Sequence, residues 1–124
     1  MTDILILDDN TSLTTMLRLG LERRGFVVAD GYNGNDGIQI LEAAARNPDL
    51  ILSNLYMPQM DGLTFLKHIR AHPDWSAIPF VLMSAAPTED HRRAALANAV
   101  QGILQKPFTF DQLDALLDEL GIAP

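Results

Sequence analysis

Five polar residues stand where short apolar runs end, and their side chains could together hold a cation and a phosphoryl group. They are Asp8, Asp9, Asn54, Ser84 and Lys106. Carboxylate and amide oxygens are hard ligands of the kind that Mg²⁺ takes in proteins. A hydroxyl and an ammonium group can hold the oxygens of a phosphoryl group. If these residues meet in the fold, their types predict a site for phosphoryl chemistry.

Short apolar runs alternate with segments of helical periodicity along the chain. The runs cover residues 4–7, 26–29, 50–52, 78–83 and 102–105. Five strands that alternate with five helices predict an α/β fold with a parallel sheet and right-handed crossovers. The doubly wound, flavodoxin-like strand order 2-1-3-4-5 is the natural candidate. The carboxyl ends of parallel strands share one edge, so this fold would bring the five polar residues together.

Residues 48–63 are the stretch around which the other elements are arranged. The apolar run at its start is typical of a strand that is buried on both faces of a parallel sheet. The proline that follows cannot donate a hydrogen bond to a strand, and Gly62 permits a backbone turn. We therefore expect the third strand to end near Asn54 and a helix, capped by Asp61, to begin shortly afterwards.

The helical segments differ in how much apolar surface they can bury. Thr11 and Ser12 are expected to cap the first helix, and Thr88 to begin the fourth. The expected inner face of the first helix consists of Leu13, Met16, Leu17 and Leu21. That of the second consists of Ile38, Leu41, Ala44 and Ala45. That of the fourth has only Ala95, Leu96, Ala99 and Val100. The fourth helix is therefore expected to be the least firmly packed.

Length and composition indicate a single domain over residues 1–124 and exclude several classes of function. The chain has 124 residues, a formal net charge of −7 and no cysteine. The negative charge argues against a nucleic-acid partner, and the lack of cysteine excludes disulfides, thiolate metal sites and thiol catalysis. The first residues have neither a basic segment nor a long apolar run, so we expect no signal peptide, no membrane span and a cytoplasmic location.

Four motifs in this order resemble the receiver domains of two-component response regulators. They are the acidic pair Asp8-Asp9, the block at residues 57–62 (Met-Pro-Gln-Met-Asp-Gly), the hydroxyl in Ser84-Ala85, and Lys106-Pro107-Phe108. The intervals between them also fit that family, and the resemblance extends over nearly the whole chain. It implies a non-enzymatic switch or protein-interaction module in two-component phosphorelay signalling.

The position that the resemblance identifies as the phosphoacceptor is occupied by asparagine. In the family, the residue three before the methionine of the Met-Pro pair is an aspartate that accepts a phosphoryl group from a histidine kinase. Here this residue is Asn54. Its neutral amide oxygen is a poor nucleophile and cannot form an acyl phosphate. The chain is therefore expected to lack the family's central reaction, as a pseudo-receiver or an Asp-to-Asn variant would.

The resemblance also implies roles for the surrounding residues. Asp9 would bind Mg²⁺ directly, Asp8 would do so directly or through water, and the backbone carbonyl of Tyr56 would be a third ligand. Asn54 would offer only a neutral oxygen, so we expect Mg²⁺ binding to be weak or absent. The expected contacts of phosphoryl oxygens are Ser84 and Lys106.

Position 103 and the partner surface complete what the resemblance implies. The family usually has an aromatic residue at the switch position, where this chain has Ile103, whose stiff aliphatic side chain has no ring to relocate. The expected partner is a histidine kinase or another signalling protein that binds the face formed by the fourth helix, fifth strand and fifth helix. The same face could support a homodimer.

Several alternatives stay open from the sequence. The chain could be a natural pseudo-receiver, a receiver whose aspartate was replaced in the laboratory, or a receiver that uses Ser53 or Asp9 as a substitute acceptor. A rival from another class is a small Mg²⁺-dependent phosphatase or phosphotransferase with Asp8 or Asp9 as nucleophile. A nucleotide-binding module is the weakest alternative, since no glycine-rich phosphate loop follows the first strand. The histidines, at positions 68, 72 and 91, have no partner at metal-ligand spacing, so surface or packing roles are expected.

Overall fold

The structure, a computed structural model, describes residues 2–124 as a parallel sheet with helices on both faces. The strands are β1 (Asp3–Leu7), β2 (Val27–Gly31), β3 (Leu50–Asn54), β4 (Phe80–Ser84) and β5 (Gly102–Gln105). The helices are α1 (Thr11–Arg23), α2 (Gly34–Ala43), α3 (Gly62–Ala71), α4 (Glu89–Ala97) and α5 (Phe110–Glu119). The strand order β2-β1-β3-β4-β5 confirms the predicted fold class. Within the described part of the chain, no helix is long and apolar enough to cross a membrane. 

The sheet separates two apolar cores, and β3 contributes to both of them. Leu50 and Leu52 face the core shared with α1 and α5, whereas Ile51 faces the core shared with α2, α3 and α4. These side chains are fully buried, as is Ser53, whose hydroxyl donates to the Asn54 carbonyl at 3.1 Å. The accessible polar chemistry of this strand therefore begins at its carboxyl end.

Side chains cap the helices near the site, and one of these caps differs from the prediction. Asn10 caps α1, since its Oδ1 accepts from the backbone N–H three residues further on at 3.1 Å. Thr11 and Ser12 already belong to the first turn of the helix, so the expectation that they cap it is wrong. Asp61 caps α3 and Thr88 caps α4, as predicted.

The second strand and second helix differ from their predicted limits. β2 pairs with β1 along its whole length and continues to Gly31, two residues beyond the apolar run that predicted it. α2 ends at Ala43, because the backbone of Ala44 is extended, with ψ 138°. Ala44 and Ala45 are exposed and do not form part of the inner face of α2, contrary to the prediction.

Two further expectations, for β4 and for Met16, are also wrong. β4 begins at Phe80 rather than at residue 78, since Pro79 has no N–H with which to join the ladder of hydrogen bonds. Met16 is 62% exposed, although Leu17 and Leu21 on the same helix are buried as predicted. A Met side chain at this position forms part of the molecular surface instead of the core.

The fourth helix buries fewer residues than any other helix, in agreement with its expected loose packing. Ala95 is the one buried residue of α4. Leu96 was expected on the inner face, but it is 68% exposed. Ala99 and Val100 lie beyond the end of the helix, and Ala99 has a left-handed backbone, with φ 55°.

Arg70 of α3 holds the segment that follows α4. Its guanidinium donates to the carbonyl oxygens of Asn98 and Ala99, each at 3.0 Å. Its other acceptors are the carbonyl oxygens of Ser76 and Ile78 and the Oε1 of Gln101. No ion pair described within residues 2–124 involves Arg70, and partial burial lowers the pKa of this group. Polar contacts therefore position this end of α4 where apolar packing is sparse.

Gly62 begins α3 in close contact with the backbone of β3. Its N–H donates to the carbonyl of Leu55 at 2.8 Å, and a Cβ at this position would lie 2.2 Å from the carbonyl oxygen of Asn54. Its φ is not positive, in contrast to Gly25 and Gly121. The requirement for glycine is therefore one of space, rather than of the backbone freedom that the sequence suggested.

We expect Gly62→Ala to lower the free energy of unfolding by about 2–3 kcal/mol, because the added methyl group meets a backbone oxygen that cannot rotate away. Urea unfolding followed by the fluorescence of Trp75, the single tryptophan, would measure this loss. Gly102→Ala is the control, since its Cβ would meet the flexible side chain of Leu116 at 3.2 Å. Equal losses for the two variants would contradict the steric explanation.

Candidate functional site

Asp8 and Lys106 form an ion pair at the carboxyl edge of the sheet. Asp8 directly follows β1, Lys106 directly follows β5, and Lys106 Nζ lies 2.7 Å from Asp8 Oδ2. The Asp8 side chain is fully buried, and its Oδ1 accepts from the N–H of Asn10 at 2.9 Å. Both carboxylate oxygens therefore have partners, and the pair extends across the ends of β3 and β4.

Asn54 directs the nitrogen of its amide toward the backbone two residues further along. Asn54 Nδ2 donates to the carbonyl oxygen of Tyr56 at 2.7 Å. A carbonyl can only accept, so the amide nitrogen must face it. An aspartate at this position has no hydrogen with which to make the same bond when it is ionised. The bond is therefore specific to the asparagine.

Ser84 and Asp9 complete the set of polar residues at this edge. Ser84 is buried at the end of β4, its Oγ accepts from the N–H of Ala86 at 3.3 Å, and its carbonyl accepts from the N–H of Lys106 at 2.8 Å. Asp9 is exposed, and its side chain makes no hydrogen bond or ion pair with residues 2–124. The structure thus places all five predicted residues at the carboxyl ends of β1, β3, β4 and β5 or directly after them.

The loop between β3 and α3 is anchored on the start of α2. Gln59 has a left-handed backbone, with φ 67°, and its Oε1 accepts from the amide nitrogens of Asn33 and Asn35, each at 3.3 Å. The carbonyl of Met60 accepts from the N–H of Gly34 at 3.2 Å. These contacts were not predicted from the sequence. The turn of glycine and asparagine residues before α2 was the available signal, but it does not reveal a partner about 25 residues away along the chain.

Tyr56 and His91 join this loop to the N-terminal end of α4. Tyr56 Oη lies 3.3 Å from His91 Nε2, and the two rings meet edge to face with centroids 5.5 Å apart. His91 Nδ1 accepts from the N–H of Thr88 at 3.1 Å, so Nε2 carries the ring hydrogen and donates to the tyrosine hydroxyl. A packing role was expected for His91, but its partner was not predicted.

The donor set for a cation is incomplete in this arrangement. Among the residues that the structure describes, no group of three or more histidine, aspartate or glutamate side chains is placed to hold a metal ion. The oxygens of Asp8 have partners in Lys106 and Asn10, and the Tyr56 carbonyl has one in Asn54. The weak Mg²⁺ binding expected from the sequence stays a prediction.

Two other positions singled out in the sequence lie within or against the core. Ser53, a possible substitute acceptor, is fully buried within β3. Ile103 is half-buried against the core on the α3 and α4 side of the sheet. The functional roles of these residues, and of the residues at the carboxyl edge, stay predictions.

Comparison with known proteins shows the family of the chain. The model of the response regulator receiver domain matches residues 4–118. The KDP operon transcriptional regulatory protein KdpE of Escherichia coli (strain K12) is 38% identical over 117 residues, which are 94% of this chain and 50% of KdpE. The chain therefore spans about half the length of this relative. An uncharacterized 14.6 kDa protein of Leptolyngbya boryana is 31% identical over 121 residues, and the match covers 98% of this chain and 91% of that protein.

Solved structures of similar sequence have the same fold. The chemotaxis protein CheY4 of Vibrio cholerae superimposes with a TM-score of 0.88 at 25% identity, over 96% of this chain and 98% of CheY4. The receiver domain of the sensor histidine kinase PA1611 of Pseudomonas aeruginosa PAO1 has a TM-score of 0.84 at 25% identity, over 97% of this chain and 98% of that domain. That structure contains a magnesium ion coordinated in its active-site cleft. Together with the match over residues 4–118, these likenesses show that the chain belongs to the response regulator receiver domain family.

Proposed function

We propose that this receiver domain signals by protein contact and does not form an aspartyl phosphate. The observation that carries the proposal is the 2.7 Å hydrogen bond from Asn54 Nδ2 to the Tyr56 carbonyl. It assigns the amide nitrogen to one side of the Asn54 side chain and leaves a neutral oxygen on the other. A neutral amide oxygen has little nucleophilic character, so it supports no acyl phosphate. The domain would then act as a switch fixed in one state, or as an interaction module.

The origin of Asn54 stays open among the alternatives that the sequence allowed. A natural pseudo-receiver and a laboratory replacement of aspartate would share the contacts described here. For a substitute acceptor, burial argues against Ser53, whereas Asp9 is exposed and has a free carboxylate. Asp9 is therefore the acceptor to test first if this chain takes up phosphate.

The rival function, a small Mg²⁺-dependent phosphatase or phosphotransferase, also stays a prediction. Its nucleophile would be Asp8 or Asp9. The ion pair with Lys106 and the bond from the Asn10 N–H engage both oxygens of Asp8, which argues against its use as a nucleophile. No specific contact favours this rival over the signalling role.

The first prediction from the proposed function concerns the phosphoacceptor. After incubation with acetyl phosphate and Mg²⁺, we expect the intact mass of this chain to stay unchanged. Asn54→Asp should gain the mass of one phosphoryl group, because it restores a carboxylate nucleophile at an otherwise intact site. Intact-mass spectrometry measures both. Asn10→Asp, which adds a carboxylate nearby in the α1 cap, is the control and should gain nothing.

A phosphoryl group on the unaltered chain would contradict the proposal, and peptide mapping would then identify the acceptor. If neither the chain nor Asn54→Asp gained mass, Asn54 would not be the single feature that prevents phosphorylation. The domain would then be treated as an interaction module whose site has diverged beyond that residue.

The second prediction concerns the cation. We expect Mg²⁺ to bind Asn54→Asp at least about tenfold more tightly than the unaltered chain, because affinity in such sites follows the number of charged ligands. Isothermal titration calorimetry would measure both affinities. Asn35→Asp adds the same charge on the nearby α2 surface, so it separates a direct ligand from a general change of charge. Equal affinities for the chain and Asn54→Asp would contradict the role of residue 54 as a ligand.

We propose that a histidine kinase or another signalling protein binds the face formed by α4, β5 and α5. Two features of α4 support this placement. Leu96 is 68% exposed, and Arg92 and Arg93 lie one turn before it. An apolar side chain beside two cations suits a partner that presents an apolar residue within an acidic surface. The same face could bind a second copy of the chain.

The third prediction tests this surface. We expect a double charge reversal, Arg92→Glu with Arg93→Glu, to weaken partner binding or self-association at least about tenfold. Pull-down with the cognate kinase and analytical ultracentrifugation would measure the two effects. Arg23→Glu is the matched control, because Arg23 is an exposed residue of α1. If the α4 reversals left both interactions unchanged, the placement would be wrong, and the exposed Met16 on α1 would be the next surface to test.

A further inference from the structure

A continuous series of contacts leads from residue 54 to the N-terminal end of α4. Asn54 Nδ2 donates to the carbonyl of Tyr56, and the ring and hydroxyl of the same tyrosine contact His91. His91 in turn belongs to the capping box of α4. Its Nδ1 accepts from the N–H of Thr88, and the Thr88 hydroxyl accepts from the N–H of His91, both at 3.1 Å. Three short links therefore connect the acceptor position with the cap of a helix.

The weak packing of α4 makes these links important for its position. Ala95 is the one buried residue of the helix, so few apolar contacts fix it against the sheet. Arg70 holds the backbone just beyond its C-terminal end. At the N-terminal end, the contact between Tyr56 and His91 ties the helix to the loop after β3. A helix that is held by polar contacts at its ends can shift when one of them is lost.

A path from the site to α4 through position 103 has no polar contact that could change. Ile103 is half-buried in the apolar core on this side of the sheet and has no polar group to exchange partners. The hydroxyl of Ser84 is directed to the N–H of Ala86 rather than to β5 or α4.

We propose that the pair Tyr56 and His91 is the link through which the chemistry of residue 54 sets the position of α4. The amide of Asn54 holds the Tyr56 carbonyl and so keeps the tyrosine ring against His91. A carboxylate at position 54 cannot donate to that carbonyl, so it releases the loop and loosens the N-terminal end of α4. This inference deepens the proposed function, because it assigns a path from the acceptor position to the proposed partner face.

A substitution at position 91 can break the link without removing the helix cap. The start of α5 shows how, because its capping box pairs Thr109 with Gln112. His91→Gln would reproduce that chemistry at the start of α4 and retain the cap. It would remove the imidazole ring and the donor that contacts Tyr56. Tyr56→Leu breaks the same link from the other side.

The test is hydrogen–deuterium exchange of α4 peptides, measured by mass spectrometry without Mg²⁺ or a phosphoryl donor. We expect Asn54→Asp to raise the exchange rate of α4 about three- to tenfold, the range for the loss of one exposed hydrogen bond. His91→Gln alone should give a similar rise. In a chain that already has His91→Gln or Tyr56→Leu, Asn54→Asp should add less than about twofold, because the link no longer exists.

His68→Gln is the matched control, because His68 is an exposed residue of α3. The full effect of Asn54→Asp should persist in its presence. Exchange of α5 peptides serves as the internal reference for global stability. An equal effect of Asn54→Asp with and without His91→Gln would overturn the proposal, as would no effect at all. Since no phosphoryl donor is present, the result is independent of the intact-mass assay, and the two proposals can fail separately.

Discussion

The burial of β3 on both faces is the constraint on which the rest of the molecule depends. Alternate residues of the strand contribute to separate cores, so its accessible polar group lies where the strand ends, at Asn54. The chain must then leave the sheet at once, and it does so beside Gly62, which touches the backbone of Asn54. β1 and β4 are buried in a similar way, and the parallel topology concentrates the chemistry of the domain at one edge.

At that edge, the side chain of Asn54 is a neutral hydrogen-bond donor rather than a carboxylate. Asp8 is balanced by Lys106, so a further carboxylate at position 54 would add a negative charge next to Asp9 that calls for a cation. The amide of Asn54 removes that charge and supplies its own hydrogen to the Tyr56 carbonyl. The local electrostatics are therefore satisfied largely by the protein itself.

The strand order and the polar residues at the sheet edge were both predicted correctly, since apolar runs mark the strands and a doubly wound parallel sheet brings their carboxyl ends to one edge. The sequence was less informative where neighbouring polar residues could each cap the same helix. Asn10 rather than Thr11 caps α1, since backbone angles decide which oxygen reaches the free N–H. Periodicity placed Met16 and Leu96 inside, whereas their side chains are 62% and 68% exposed. The contact of His91 depends on a tertiary approach that no local pattern encodes.

The manner in which Arg70 is held has a consequence for how the domain responds to salt. Its acceptors are carbonyl oxygens and one amide oxygen, so they are fixed dipoles rather than a mobile counterion or an exposed carboxylate. Dissolved ions screen long-range attraction between exposed charges, but they affect short contacts in a half-buried site much less. The anchor of α4 should therefore persist at an ionic strength that already weakens the proposed binding of a partner to Arg92 and Arg93. A higher salt concentration can therefore weaken the attraction of a partner while the surface itself stays intact.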